Sequence, residues 1–173
     1  METIMRYTRM PSPIGELLLT GSDHGLTSLT MEQHAGNGAV TARLERDDAS
    51  FAAARSQLEE YFAGRRLVFD LPVAASGSEF QAAVWDELRR IPYGQRVTYA
   101  ELARRVDRPG AVRAVGLANA RNPVAIVVPD HRVIGSSGSL TGYGGGVERK
   151  AWLLVHERTV LAERALRPAE AGA

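Results

Sequence analysis

Between Ser78 and Asn119 the chain carries helix signals and chain breaks so closely spaced that only short helices joined by tight turns fit there. Ser78-x-x-Gln81 has the form of a capping box, in which the serine hydroxyl and the glutamine side chain satisfy each other's backbone amides and open a helix. Phe80, Val84 and Leu88 then recur at helical spacing with Trp85 beside them, and Ile91-Pro92-Tyr93-Gly94 breaks the helix. Thr98-Tyr99-Ala100-Glu101 is a second box, predicting a helix of about two turns with Leu102 and Val106 inward and Arg104, Arg105 and Arg108 outward. Pro109-Gly110 makes a turn, and residues 111–119 predict a third helix. Two short helices across a tight turn make a helix-turn-helix. The second of them is small-residued at Ala111, Ala114, Gly116 and Ala118. Small residues let a helix press close to a partner backbone, as in tight helix–helix packing.

Asn122 to Gly146 follows directly. Ala125-Ile126-Val127-Val128 reads as a short buried strand ended by Pro129. Asp130, His131 and Arg132 then set three ionisable groups side by side, and a glycine-rich loop interrupted by Tyr143 comes next. Ionisable groups at a strand mouth, faced by a glycine loop, suggest a pocket. The loop is not a phosphate cradle of the Gly-Lys-Ser/Thr type, because no such triplet follows it. Asn122 stands before Pro123, which disfavours the helical region and leaves its amide placed to bond backbone.

The first 75 residues predict a small α/β unit. Residues 5–8, 16–20 and 26–31 read as strands, the last two joined by the turn-forming Gly21-Ser22-Asp23-His24-Gly25. Residues 34–38 read as a polar loop. Phe51, Ala54, Leu58, Tyr61 and Phe62 share a helix face, and Gly64 stops the helix. Leu67–Leu71 reads as one more short strand. No catalytic residue types gather here, which points to a scaffold. Ala74-Ala75-Ser76-Gly77 is the expected boundary. Near the other end, residues 147–161 predict an amphipathic helix with Val147, Ala151, Leu154 and Val155 on its inner face. The tail 159–173 is expected to be disordered.

Charge divides along the same boundary. Residues 1–75 hold 7 Lys/Arg against 10 Asp/Glu, whereas residues 76–158 hold 12 against 8. A basic second half suits nucleic acid. The chain has no cysteine, which excludes disulfides and thiolate metal sites, and its four histidines lack ligand spacing. No metal or cofactor is therefore expected. No apolar run is long enough to cross a membrane, and METIMRYTRM lacks a signal-peptide core, so a cytoplasmic protein is expected.

Several motifs together carry a resemblance. FQAAVWDELRRIPYG, VTYAEL, RAVG, NPVAIVVPDHRVIG, SLTGYGGG and ERKAWLLVHE resemble the O6-alkylguanine-DNA alkyltransferases, densely over residues 78–157 and more loosely before them. Members of that family flip an alkylated guanine out of duplex DNA and move its alkyl group onto their own cysteine. In the matching motif the cysteine position is Asp130. The resemblance implies an α/β N-terminal domain, a small antiparallel sheet plus helix, spanning 1–75. A mainly α, winged helix-turn-helix DNA-binding domain spans 76–158.

It also implies roles. His131, oriented by Glu157, is the base that activates the missing thiol, and Asn122 braces the turn behind it. Arg113 enters the duplex in place of the extruded base. Tyr99 drives rotation of the nucleotide at its phosphate. Ala111, Ala114 and Gly116 lie in the minor groove, with Arg121 and Arg132 on the DNA. Tyr143, Gly144, Gly145 and Val133 form the base pocket. A carboxylate is a far poorer nucleophile toward an alkyl carbon than a thiolate. Burying it unpaired is costly, so Asp130 is expected to find Arg132, a backbone amide, water or a guanine donor as partner.

The preferred reading is a lesion sensor of the alkyltransferase-like kind. Such a sensor binds O6-alkylguanine in double-stranded DNA as a monomer, without accepting the alkyl group, and hands the lesion to nucleotide excision repair proteins. The alternatives are a methylated-DNA–protein-cysteine methyltransferase whose cysteine has been replaced by Asp130, and a helix-turn-helix regulator.

Overall fold

A computed structural model describes residues 2–31, 37–140 and 142–167. The first half is built on three strands, β1 (Arg6–Met10), β2 (Leu17–Ser22) and β3 (Gly25–Met31), paired antiparallel in the order of the chain. Leu17, Leu18 and Leu19 of the central strand are all buried, because both faces of β2 are covered. A short helix α1 (Asn37–Thr41) leads into β4 (Glu45–Arg46), which runs parallel to β1 and makes the sheet mixed, β3-β2-β1-β4. The expected loop at 34–38 lies mostly outside the described residues, and Asn37 and Gly38 open α1 instead.

Helix α2 (Ala52–Phe62) lays Ala54, Leu58 and Tyr61 on the core, with Phe51 just ahead of it. Gly64, at φ 76°, closes it with amide bonds from Gly64 to Tyr61 and from Arg65 to Glu60, the Schellman arrangement that a left-handed residue permits.

Two expected strands are absent. Leu67–Leu71 is irregular, and pairing is limited to a single bridge between Leu26 and Val73, held by Leu26 N to Pro72 O and Ala74 N to Leu26 O. Ala125–Val128 is buried throughout but folds as tight turns, with Ile126 at φ 72° and with Val127 and Val128 donating to Ala125 and Val124. A short apolar run signals burial on every side, which a strand and a buried turn share. Residues 123–125 instead clip the edge of β3, where Leu29 donates to Pro123 O at 2.8 Å and Ala125 to Leu29 O at 3.2 Å. These two clips cover the free edge of β3 and join the halves.

The second half starts with α3 (Glu79–Arg89), opened by the complete Ser78–Gln81 capping box. Its Trp85 indole donates to Ala118 O at 2.9 Å and so fixes α3 against the later helix α5. A two-residue parallel ladder pairs β5 (Val97–Thr98) with β6 (Val133–Ile134). Helix α4 (Tyr99–Arg105) has only half its expected box. Thr98 caps it, but the Glu101 carboxylate turns outward to Arg104 and Arg105. The reversal after α4 comes ahead of Pro109-Gly110. Asp107 takes φ 58°, and the amides of Asp107 and Arg108 return to Arg104 and Ala103, a second Schellman closure. Helix α5 (Val112–Ala120) completes the helix-turn-helix.

The last helix, α6 (Val147–Leu166), runs past Leu161 into the segment expected to be disordered. Its buried face is Lys150, Leu153, Leu154, Glu157 and Val160, while Val147 and Val155 are exposed. The expected face was drawn through apolar residues alone. The actual one is rotated because it buries a lysine and a glutamate.

Candidate functional site

Glu157 is the hub of the buried site. It projects from α6 with no exposed surface and collects donors from four directions. Its Oε2 accepts from Tyr61 Oη at 2.7 Å, from His131 Nε2 at 2.7 Å and from Arg132 Nη2 at 3.0 Å. Its Oε1 accepts from Arg132 Nε at 2.9 Å and from the Gly94 amide at 3.0 Å. Burial alone would raise its pKa. The hydrogen bond and charge of His131 and the Arg132 guanidinium overcome that and hold the carboxyl well below its ordinary value. Glu157 is thus an anion that accepts and never donates.

The Ile91–Gly94 break has a second use here. Ile91 O accepts from Arg132 Nη1 at 2.7 Å, the Tyr93 ring lies under the guanidinium at 5.6 Å, and Gly94 supplies its amide. Gly94 has φ 77°, and a Cβ there would meet Leu161 Cδ1 at 2.2 Å. A side chain at this position would therefore disturb both the turn and the seat of α6.

Asp130, His131 and Arg132 form one turn of 3-10 helix leading into β6. His131 is fully buried, and burial lowers its pKa against the opposing pull of Glu157. Because Glu157 only accepts, Nε2 carries the proton. Nδ1 is then an unprotonated acceptor, buried and without a protein partner among the described residues. That is the state a general base requires.

Asp130 is 3% exposed and its Oδ1 has no protein partner among the described residues. Burial pushes its pKa up to about 7, opposed by the Asn122 side chain, the Lys150 ammonium and the amides of residues 130 and 131. Asn122 holds the turn behind Asp130: its Nδ2 donates to Val128 O at 2.8 Å and its Oδ1 accepts from Val124 N at 3.1 Å. Lys150, buried on α6, lies 5.9 Å from the Tyr99 ring centre. Burial lowers its pKa, against the Asp130 charge.

Of the partners expected for Asp130, the backbone amides of residues 130 and 131 are there and Arg132 is not, and Arg132, expected on the DNA, is buried. Its guanidinium is buried and fully engaged with Glu157 and Ile91 O. Val133 is likewise a buried residue of the β5–β6 ladder, with no exposed surface for a base pocket. Tyr143 is buried, its hydroxyl unpartnered among the described residues, and near enough to Asp130 for that charge to help raise its pKa once burial has done so. Gly144 is open. Gly145 is needed for packing, since a Cβ there would meet Met31 Sδ and Tyr143 Cε1, both at 2.9 Å.

The expected DNA-facing residues cluster on α5. Arg113, Ala114 and Arg121 are exposed and Ala111 half-buried, with Val112 and Leu117 adding exposed apolar surface. A Cβ on Gly116 would make only ordinary contact with the Tyr99 ring, at 3.7 Å. Packing within the protein therefore explains neither Gly116 nor Ala114. Tyr99 sits where α4 begins, between Gly116 and Gly142. Arg104 and Arg105 are paired with Glu101 on the surface.

Sequence reasoning missed Tyr61, Lys150 and Gly94. Tyr61 appeared as one more apolar position of α2 and Gly94 as a helix breaker, while Lys150 was not singled out. Among the described residues no three metal-ligating side chains come together, and no helix is long and apolar enough to cross a membrane.

The family described as "6-O-methylguanine DNA methyltransferase, ribonuclease-like domain" matches residues 5–75, and "6-O-methylguanine DNA methyltransferase, DNA binding domain" matches residues 79–159. A methylated-DNA–protein-cysteine methyltransferase of Mycolicibacterium paratuberculosis is 51% identical over 155 residues, 90% of this chain and 93% of its own. One from Methanosarcina acetivorans is 46% identical over 150 residues, 87% of this chain and 96% of its own. The crystal structure of Mycobacterium tuberculosis OGT in complex with DNA has a TM-score of 0.84 at 46% identity, covering 90% of this chain and 94% of that one.

Proposed function

The chain belongs to the 6-O-methylguanine DNA methyltransferase family, and from that premise we propose that it binds O6-alkylguanine in duplex DNA without taking the alkyl group onto itself. The observation that carries this reading is Asp130. A buried carboxyl occupies the position of the family's acceptor cysteine, in a site whose histidine, glutamate and asparagine are assembled, and the chain has no cysteine. With its pKa near 7, this carboxyl spends much of its time protonated at neutral pH, and even ionised it is a weak nucleophile toward carbon.

DNA binding is supported by the exposed Arg113, Ala114 and Arg121 face of α5 and by the small residues there that internal packing leaves unexplained. Extrusion of the alkylated base, with Arg113 filling the vacated stack and Tyr143 closing over the base, is part of the same reading. Handing the lesion to nucleotide excision repair proteins would follow as a consequence of binding without repair. The test is to incubate the protein with duplex DNA bearing radiolabelled O6-methylguanine. Retention of that duplex over an unmodified one, with no label on the protein, is the expected result. Stoichiometric label on Asp130 overturns it.

A second reading is favoured by the intact bond between His131 and Glu157. A base that keeps its orienting carboxylate suits a methyltransferase in which only the acceptor is replaced. Both readings leave the present chain without an acceptor thiol and keep the rest of the site assembled.

A further inference from the structure

The N-terminal half is more than a scaffold for this site, because one of its side chains reaches the hub. Tyr61 lies in the last turn of α2, has no exposed surface, and donates its hydroxyl to Glu157 Oε2 at 2.7 Å. Its ring is held by Phe69 at 5.4 Å, Tyr93 at 5.9 Å and His156 at 5.4 Å between ring centres. The hydroxyl is thus held in place, and it shares with His131 Nε2 the same carboxylate oxygen.

We propose that Tyr61 is a positioning residue for His131, sharing Glu157 Oε2 so that the imidazole stays neutral and presents a bare Nδ1 to the site. A carboxylate oxygen has limited accepting capacity. With Tyr61 and Arg132 also donating to Oε2, the pull of Glu157 on the imidazole proton is diluted. Remove the hydroxyl and that pull concentrates on His131, favouring imidazolium, which has no acceptor to offer. Tyr61 itself stays a donor, since burial and the neighbouring Glu157 charge push its pKa well above the ordinary phenol value.

The other groups around His131 leave this assignment to Tyr61. Arg132 on the same turn and Lys150 on α6 both disfavour imidazolium by their charge, and Asp130 is the neighbour toward the site. Tyr93 and the Gly94 amide, from the turn after α3, act on Arg132 and Glu157. The inference stands whether or not the protein transfers an alkyl group.

The experiment is a pH titration of the full chain, labelled with 15N-histidine, by long-range nitrogen–proton NMR. The wild-type spectrum should show His131 protonated at Nε2 only. Tyr61→Phe, which keeps the ring, should raise the His131 titration midpoint by about half a unit or more while exposed His24 stays put. 3-Fluorotyrosine placed at residue 61 alone strengthens the hydroxyl as a donor with little change of shape, and should move the midpoint down. This second sample keeps the test decisive if Tyr61→Phe folds poorly. A wild-type proton on Nδ1, or a His131 midpoint unmoved by the hydroxyl changes in folded protein, overturns the proposal.

Discussion

Arg132 and Glu157 form a two-pronged ion pair inside the protein, Nε to Oε1 at 2.9 Å and Nη2 to Oε2 at 3.0 Å. Arg132 is 6% exposed and Glu157 not at all. Removing two charges from water is costly, and such a pair persists when its geometry is bidentate and the remaining lone pairs find donors. Here Tyr61, His131 and Gly94 supply them. The pair ties the turn of 3-10 helix to α6 and thereby sets where His131 points.

Arg132→Met should therefore lower stability by about 3 kcal/mol, because it leaves a buried carboxylate without its cation. Urea denaturation measures this. The salt dependence of DNA binding should be unchanged in the variant. A salt slope smaller by about 1 would mean that Arg132 contacts a phosphate after all.

Asp130 makes stability depend on pH in a defined window. Folded, it holds its proton to about pH 7; unfolded, it loses it near 3.8. Between these values the folded chain binds more protons than the unfolded one, so stability falls as pH rises through the window. At 1.36 kcal/mol per unit the fall is roughly 4 kcal/mol. Asp130→Asn should abolish it. Relative to wild type, the variant should gain stability between pH 4 and pH 7.5, as read by urea denaturation across that range. His131 and Glu157, whose lowered pKa values give the opposite slope, cancel in the comparison. A constant difference between the two proteins would show that Asp130 is not buried as a charge.

If, as proposed, Arg113 fills the stack vacated by the extruded base, Arg113→Ala should weaken binding to a lesion-bearing duplex about tenfold and reduce extrusion of the base; Arg113 is exposed on α5. A fluorescent base analogue at the lesion reports extrusion. Weaker binding with unchanged fluorescence would confine Arg113 to a phosphate contact.

Asp130→Cys should acquire methyl transfer. Asn122 holds the turn, His131 offers a bare acceptor nitrogen, and the new thiol would be the chain's only one, beside a base that lowers its pKa from about 8.5. Mass spectrometry after incubation with O6-methylguanine DNA should find one methyl on residue 130. His131→Gln in the same background should slow the transfer by about a hundredfold. A folded, lesion-binding Asp130→Cys that never gains a methyl would show that the pocket has diverged beyond its nucleophile.

Local chemistry made much of this protein legible in its sequence. The Ser78–Gln81 box, Gly64 and the spacing of Leu58 and Tyr61 or of Val84 and Leu88 act within a few residues, so the helices could be read directly. The helix-turn-helix was legible for the same reason, and the motif around Asp130, His131 and Asn122 marked the site. Tertiary structure decided the rest. Ala125–Val128 announced burial, but whether it became a strand depended on the partner available to it. β3 takes up only the backbone around Val124, and Ile126 turns away. Arg132 carried the signature of a surface cation until α6 brought Glu157 to it across 25 residues. Tyr61 looked apolar until the same carboxylate came within 2.7 Å across 96 residues. A periodic pattern records which face of an element avoids water. Which buried polar group meets which is settled by long-range packing, and on that meeting the state of His131 depends.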